Sequence, residues 1–229
     1  MTIPKLLLEV QNRRSDIIQL TSDLIKIPTI NPPGTNYREI CEFLSKRLKK
    51  SGFDVDIIRA KGALADTDKY PRFNLVARHE GTYSGPCIHF NSHIDVVDTG
   101  HGWTRDPFGG SIEGDKIFGR GSCDMKGGLA SSIVAAEVFI SIFPKYYGAI
   151  EISATADEET GGYGGVAWLA EKGYFNPKKV QSVIIPEPLN KDRICLGHRG
   201  VWWSEIETKG RVAHGSMPFL GDCAIRHMS

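Results

Sequence analysis

Apolar residues recur at Ile17, Leu20, Leu24 and Ile27, a spacing that predicts a helix over 15–27, stopped by Pro28. After the turn Asn31-Pro32-Pro33-Gly34, a second amphipathic helix puts Ile40, Phe43, Leu44 and Leu48 on one face and stops at Gly52. Short apolar runs then predict strands at 53–58, 73–78 and 87–91. The glycine-rich stretch that follows holds a hairpin pattern, 111–113 and 116–118 around Gly114-Asp115. A buried helix over 127–143, rich in small residues for close packing, leads to a strand at 148–156. A helix over 165–172 and a strand at 182–185 complete the series. Strands alternating with helices predict an α/β fold with a sheet sandwiched by helices.

The pattern changes after Gly197. Residues 201–209 alternate like a half-exposed strand, so two domains are expected, 1–197 and the beginning of a second at 198–229. The closing segment 221–229 reads as a helix just starting, and the sequence is therefore expected to be part of a longer chain.

Composition removes several function classes. Of the 229 residues, 41% are hydrophobic and 24% charged, with no low-complexity tract, which is ordinary for a globular protein. A formal net charge of +1 without a basic stripe argues against nucleic acid or an acidic membrane as partner. The first fourteen residues contain only Leu6-Leu7-Leu8 as an apolar run, neither a secretory signal nor a transmembrane span. Cys41, Cys87, Cys123, Cys195 and Cys223 form no Cys-x-x-Cys pair and fit reduced thiols in a cytoplasmic protein.

Candidate chemistry sits in four segments. His93 and Asp95 in Ser92-His93-Ile94-Asp95 project to the same side of an extended chain, where Asp95 can take the imidazole's second N–H. The alternative is a His–Asp hydrogen bond with no metal. Asp124 lies between glycines in Gly119-Arg120-Gly121-Ser122-Cys123-Asp124, directly before a helix; it suits either a plain N-cap or a ligand bridging two cations. Glu158 and Glu159 follow an apolar strand and precede Gly161-Gly162, as a solvated acidic turn or as carboxylates neutralised by a cation. Glu187 is held between Pro186 and Pro188 after another apolar strand. Together these groups would converge on one edge of an α/β sheet, and mixed nitrogen and oxygen donors suit zinc, manganese or cobalt.

These residues resemble the M20 metallopeptidases. The resemblance rests on Ser92-His93-Ile94-Asp95-Val96-Val97, the Trp103…Asp106-Pro107-Phe108 loop and Gly119-Arg120-Gly121. It extends through Asp124-Met125-Lys126-Gly127-Gly128, Asp157-Glu158-Glu159 and Glu187. The branch it is most similar to contains acetylornithine deacetylase and succinyl-diaminopimelate desuccinylase, which share the early Ile30-Asn31-Pro32-Pro33-Gly34 turn.

The resemblance implies a di-zinc exopeptidase-like catalytic domain followed by a smaller α+β lid and dimerisation domain. It implies metal ligands at His93, Asp124 (bridging), Glu159 and Glu187, with Asp95 orienting His93, Glu158 as general base and a cis peptide after Asp124. His214 would be a lid histidine that reaches a neighbouring subunit's site and helps hold the oxyanion. The expected cofactor is zinc, two ions per full-length subunit, with cobalt or manganese as substitutes. The expected reaction removes the acyl group of an N-acyl amino acid or diamino acid in a cytoplasmic homodimer. A di- or carboxypeptidase activity is the alternative, as is a non-catalytic fragment. The family's further histidine for the second metal has no counterpart in motif context at His198 or His227, and Cys223 stands where relatives often have Asn.

Overall fold

The computed structural model describes residues 3–190, 192–197, 199–202 and 204–229. The chain divides into two compact units, one ending at Pro188 and the other running from Leu189 to Ser229.

In the first unit the helices are α1 (Ile3–Asn12), α2 (Arg14–Ile25), α3 (Tyr37–Lys50), α4 (Lys126–Ile142) and α5 (Val166–Glu171). A five-stranded sheet carries β1 (Asp54–Arg59), β2 (Phe73–Glu80), β3 (Tyr83–His93), β6 (Tyr147–Thr155) and β7 (Val180–Ile184) in the order β1-β2-β6-β3-β7. β4 (Ser111–Glu113) and β5 (Lys116–Phe118) form the expected hairpin. β2 runs antiparallel to its neighbours β1 and β6, whereas β3 runs parallel to both β6 and β7. The carboxyl ends of β3, β6 and β7 therefore share one edge of the sheet, where crossover connections leave room for a site.

The alternation read in the sequence sorts the two sheet faces. Leu75 and Ala77 of β2 and Ile152 and Ala154 of β6 join Leu24, Ile40, Leu44, Leu48 and Ile133 in the main core. Each fully buried Leu or Ile contributes about 1.5–3 kcal/mol by leaving water. The opposite face is polar: Glu151 stands across from Arg78 and His89, and Ser153 across from Asn91. His89 is buried, bonded to Ser153 Oγ at 2.7 Å and to Glu151 Oε2 at 3.2 Å, with the Phe175 ring 4.7 Å away. The α/β expectation is thus borne out, with element ends displaced by only a few residues.

Two expectations change. The first ten described residues form helix α1, whose Leu6 and Val10 pack on the core while Ile3, Leu7 and Leu8 stay exposed. The Leu6-Leu7-Leu8 run by itself predicts no element. In the second unit the described residues of 201–209 form no strand. Trp202 (92% exposed) and Ile206 (73%) have the right alternation, but a strand also needs a partner for its N–H and C=O groups. That unit contains a 3₁₀ turn at Pro218–Leu220, helix α6 (Ala224–Met228) and an Arg211–Asp222 bridge.

Candidate metal centre

His93 is the last residue of β3, and the chain fixes its ring from both sides. Its backbone N–H points at the Met125 sulfur, 3.1 Å away, and its Nδ1 lies 2.9 Å from the Asp95 carbonyl oxygen. The Asp95 carboxylate is farther, 3.6 Å from Nδ1. This corrects the expectation that the Asp95 side chain takes the imidazole's second N–H: the backbone carbonyl of that residue does so. The carboxylate, fully buried, instead accepts the N–H groups of Glu158 and Glu159, each at 3.1 Å, and the Asn31 amide at 2.8 Å. Burial raises the Asp95 pKa, opposed by His93 and by these hydrogen bonds.

Because a carbonyl oxygen can only accept, Nδ1 carries a proton, and in the neutral imidazole Nε2 is left with its lone pair facing outward. Nε2 lies 3.0 Å from Asp124 Oδ1, 3.7 Å from Glu187 Oε1 and 3.8 Å from Glu158 Oε2. One donor atom each from His93, Asp124 and Glu159 lies within 4.8 Å of the other two. A lone pair turned toward several carboxylates is repulsive unless a proton or a metal cation sits among them. Without a metal the proton takes that role. Burial works against the imidazolium, but the bond to Asp124 and the nearby Asp95, Glu187 and Glu158 outweigh it and lift His93 to about 9. The same bond lowers the Asp124 pKa. Burial raises Glu187 to about 7, with His93 opposing and Asp124 reinforcing the rise. Glu159 is also raised by burial, with its acidic neighbours adding to the shift.

Asp124 is not the N-cap of α4. Met125 holds that position, with no side-chain capping bond, and the Asp124 carboxylate is turned to His93. The Asp124–Met125 peptide is cis. Glu158 and Glu159 form a 3₁₀ turn (Glu158–Thr160) that begins at Asp157 in a left-handed conformation, φ 62°. Glu187 follows β7, and its loop comes close because Gly128 has no side chain: a Cβ there would overlap the Pro186 carbonyl oxygen. The second glycine of Gly127-Gly128 is thus explained by close approach of two loops.

His93, Asp95, Asp124, Glu158, Glu159 and Glu187 are thus gathered at one sheet edge of the first unit. His214 belongs to the second unit, exposed, with its Nδ1 2.8 Å from Ser216 Oγ. His227 lies there too, 2.7 Å from Asp222 Oδ1, and Cys223 is exposed at the start of α6. His198 lies outside the described residues.

Several supporting residues have roles that no motif reports, although Lys126, Asn31 and Asp157 lie inside motifs quoted above. Lys126 is fully buried; its ammonium donates to the carbonyls of Leu24 (2.9 Å) and Ile27 (2.8 Å), tying α4 to the end of α2, and burial lowers its pKa to about 7. Asn31 bridges Asp95 and Thr160 Oγ1. Arg72 and Tyr37 both bond the buried Asp157.

The chain is thus an α/β protein with a histidine and carboxylate cluster, of a kind able to hold a metal ion, at the carboxyl ends of parallel strands. The chain belongs to peptidase family M20/M25/M40, whose sequence profile matches residues 89–220. It is 35% identical over 212 residues to a probable succinyl-diaminopimelate desuccinylase of Staphylococcus epidermidis, covering 92% of this chain and 48% of that protein. It is 32% identical over 213 residues to a succinyl-diaminopimelate desuccinylase of Pseudomonas syringae, covering 90% and 52%. The chain spans about half the length of the curated relatives it matches. Among solved structures, human carnosine dipeptidase 1 has a similar fold, with a TM-score of 0.67 at 21% identity over 80% of this chain and 41% of that one.

Proposed function

We propose that this chain carries the catalytic centre of a metal-dependent amidohydrolase, one that removes the acyl group from an N-acyl amino acid or diamino acid. The observation that carries the proposal is His93 Nε2 set among Asp124, Glu158, Glu159 and Glu187 while Nδ1 is committed to the Asp95 carbonyl. The donor set fits a divalent cation of the zinc, cobalt or manganese type: one imidazole with its tautomer fixed, and oxygens from separate loops. His93 and Glu187 would hold one ion, Glu159 a second, and Asp124 would bridge them. A bound divalent ion supplies Lewis-acid polarisation of a carbonyl and makes water a stronger acid.

The remaining work falls to the chain. Glu158, with its side chain 48% exposed, is open to substrate; it accepts the proton of the attacking water and returns it to the departing amine nitrogen. Asp95 holds the 3₁₀ turn through two backbone N–H bonds while its own carbonyl fixes the His93 tautomer. His214, from the second unit, would donate to the oxyanion in a homodimer of the complete protein. The 32–35% identity to desuccinylases favours a succinylated diamino acid as substrate. Domains at 1–197 and 198–229 and a cytoplasmic setting complete the reading; the cysteines are all free, and no described helix is long and apolar enough to cross a membrane.

The test titrates the 229-residue chain and its Asp124→Ala variant with Co²⁺, following visible absorption. Binding by the parent and its loss in the variant is the expected result; equal binding by both removes Asp124 from the site. In the complete protein, Glu158→Ala should abolish turnover of N-succinyl and N-acetyl amino acids while retaining metal. Cleavage of dipeptides alone would redirect the assignment to a peptidase.

A further inference from the structure

We propose that Arg72 is a positioning residue for the metal centre: its buried guanidinium clamps the two turns that hold Asp95, and thereby aims Glu158 and Glu159. The inference rests on the reading of the site given above. It starts from Asp157, the left-handed residue from which the Glu158–Thr160 turn springs. A non-glycine residue with φ of 62° persists only where its surroundings hold it, and Asp157 is held tightly. Its carbonyl accepts the N–H groups of Thr160 (3.1 Å) and Gly162 (2.6 Å). Its carboxylate receives Arg72 Nε at 2.9 Å and the Tyr37 hydroxyl at 3.1 Å.

Both members of the Arg72–Asp157 pair have side chains only 3% exposed, so the pair is a dry one. Burial raises the Tyr37 pKa, which keeps its phenol protonated and donating. Gly164 leaves room for the pair: a Cβ there would overlap the Arg72 Cγ and the Asp157 carboxylate. The guanidinium reaches further. Its Nη1 donates to the carbonyls of Pro33 and Tyr70, each at 2.8 Å. Pro33 belongs to the same turn as Asn31, whose amide donates to the Asp95 carboxylate and to Thr160.

One side chain thus links the turn that braces Asp95 from one side to the turn that bonds it from the other. The Arg72 guanidinium bonds Asp157, Pro33 and Tyr70 and none of His93, Asp124, Glu158, Glu159 or Glu187, so it acts through Asp157 and not on reacting atoms. Only a planar fork with several fixed donors can serve Asp157, Pro33 and Tyr70 at once; a lysine at this position would keep the charge and lose the geometry.

The experiment compares the parent chain with Arg72→Lys and Tyr37→Phe, using Co²⁺ titration by visible absorption and urea unfolding of the metal-free forms. Arg72→Lys is expected to bind Co²⁺ about 10-fold more weakly, the lower end of the range for lost partners of metal ligands because Arg72 acts one residue further out, with an altered visible spectrum. Tyr37→Phe should lose less affinity and shift the spectrum in the same direction. A merely structural role would move the urea midpoint and leave the Co²⁺ spectrum and affinity of the folded protein alone. If Arg72→Lys folds and keeps the parent isotherm and spectrum, the clamp is overturned. If Arg72→Lys does not fold, Tyr37→Phe decides: weakened binding upholds the clamp, and parent-like binding overturns it. Failure of the parent chain itself to bind Co²⁺ overturns the metal-centre reading, and the clamp with it.

Discussion

The two units of this chain satisfy their apolar side chains in opposite ways. In the first, Leu24, Ile40, Leu44, Leu48 and Ile133 are wholly buried between helices and sheet. In the second, Leu196 and Val212 are each 97% exposed and Ile225 is 81% exposed. Residues 201–209 alternate less cleanly than those of β6, since Val201, Trp202 and Trp203 are consecutive. The larger difference lies in partners. β6 has β2 on one side and β3 on the other, so its alternation becomes two faces, one for the core and one for polar bonds. An alternating segment with no neighbouring strand has nothing to make its two sides unequal.

That contrast can be broken or sharpened by experiment. The largest expected effect is on metal binding. His93→Ala should abolish Co²⁺ uptake by the chain, whereas His214→Ala should leave the isotherm unchanged, because the gathered donors all belong to the first unit. An equal loss in His214→Ala, read by the same absorption titration, would put the second unit into the metal centre.

Next comes the core. Leu44→Ala should cost about 2–5 kcal/mol in urea unfolding, as a cavity among well-packed neighbours. A loss below about 1 kcal/mol would mean that the α3 packing is looser than its burial indicates.

Acid provides a third probe. Asp16 accepts hydrogen bonds from Arg47, is also paired with Arg13, and its pKa is lowered to about 2, with the Arg47 bond as the largest cause and burial opposing. A depressed carboxylate contributes its stability above the ordinary carboxylate range and loses it as pH falls through the folded value. The contribution should fade between about pH 4 and pH 2. An Asp16→Asn variant should therefore show a shallower loss of urea midpoint over that window than the parent; parallel curves would remove Asp16 as a cause. The smallest effect is expected in the second unit, where Trp202→Ser should stay within about 0.5 kcal/mol of the parent. A larger loss would show that this side chain is packed in solution.

Much of the site was legible because its chemistry is local. His93, Asp124, Glu158, Glu159 and Glu187 each lie at the end of an apolar run or inside a glycine- or proline-rich turn, and short-range patterns report such places. The supporting partners were not legible. Arg72 and Asp157 are 85 residues apart, and Lys126 is 102 residues from Leu24. Neither arginine nor lysine announces its burial, since both types are usually solvated. The same holds for Asp95: spacing gave the correct side of the strand, but the backbone carbonyl was closer to the ring than the carboxylate was.

The sequence by itself determined the α/β succession, the hairpin, the approximate place of each sheet strand and the list of acidic and imidazole groups, because these follow from periodicity and turn chemistry within a few residues. Only the tertiary structure decided what those groups face. Strand order put three carboxyl ends on one edge, and buried bonds across long sequence separations fixed the His93 tautomer and the Glu158–Glu159 turn. Partnering also decided which alternating segments became strands, since a backbone must bond to something and a sequence pattern alone cannot supply it.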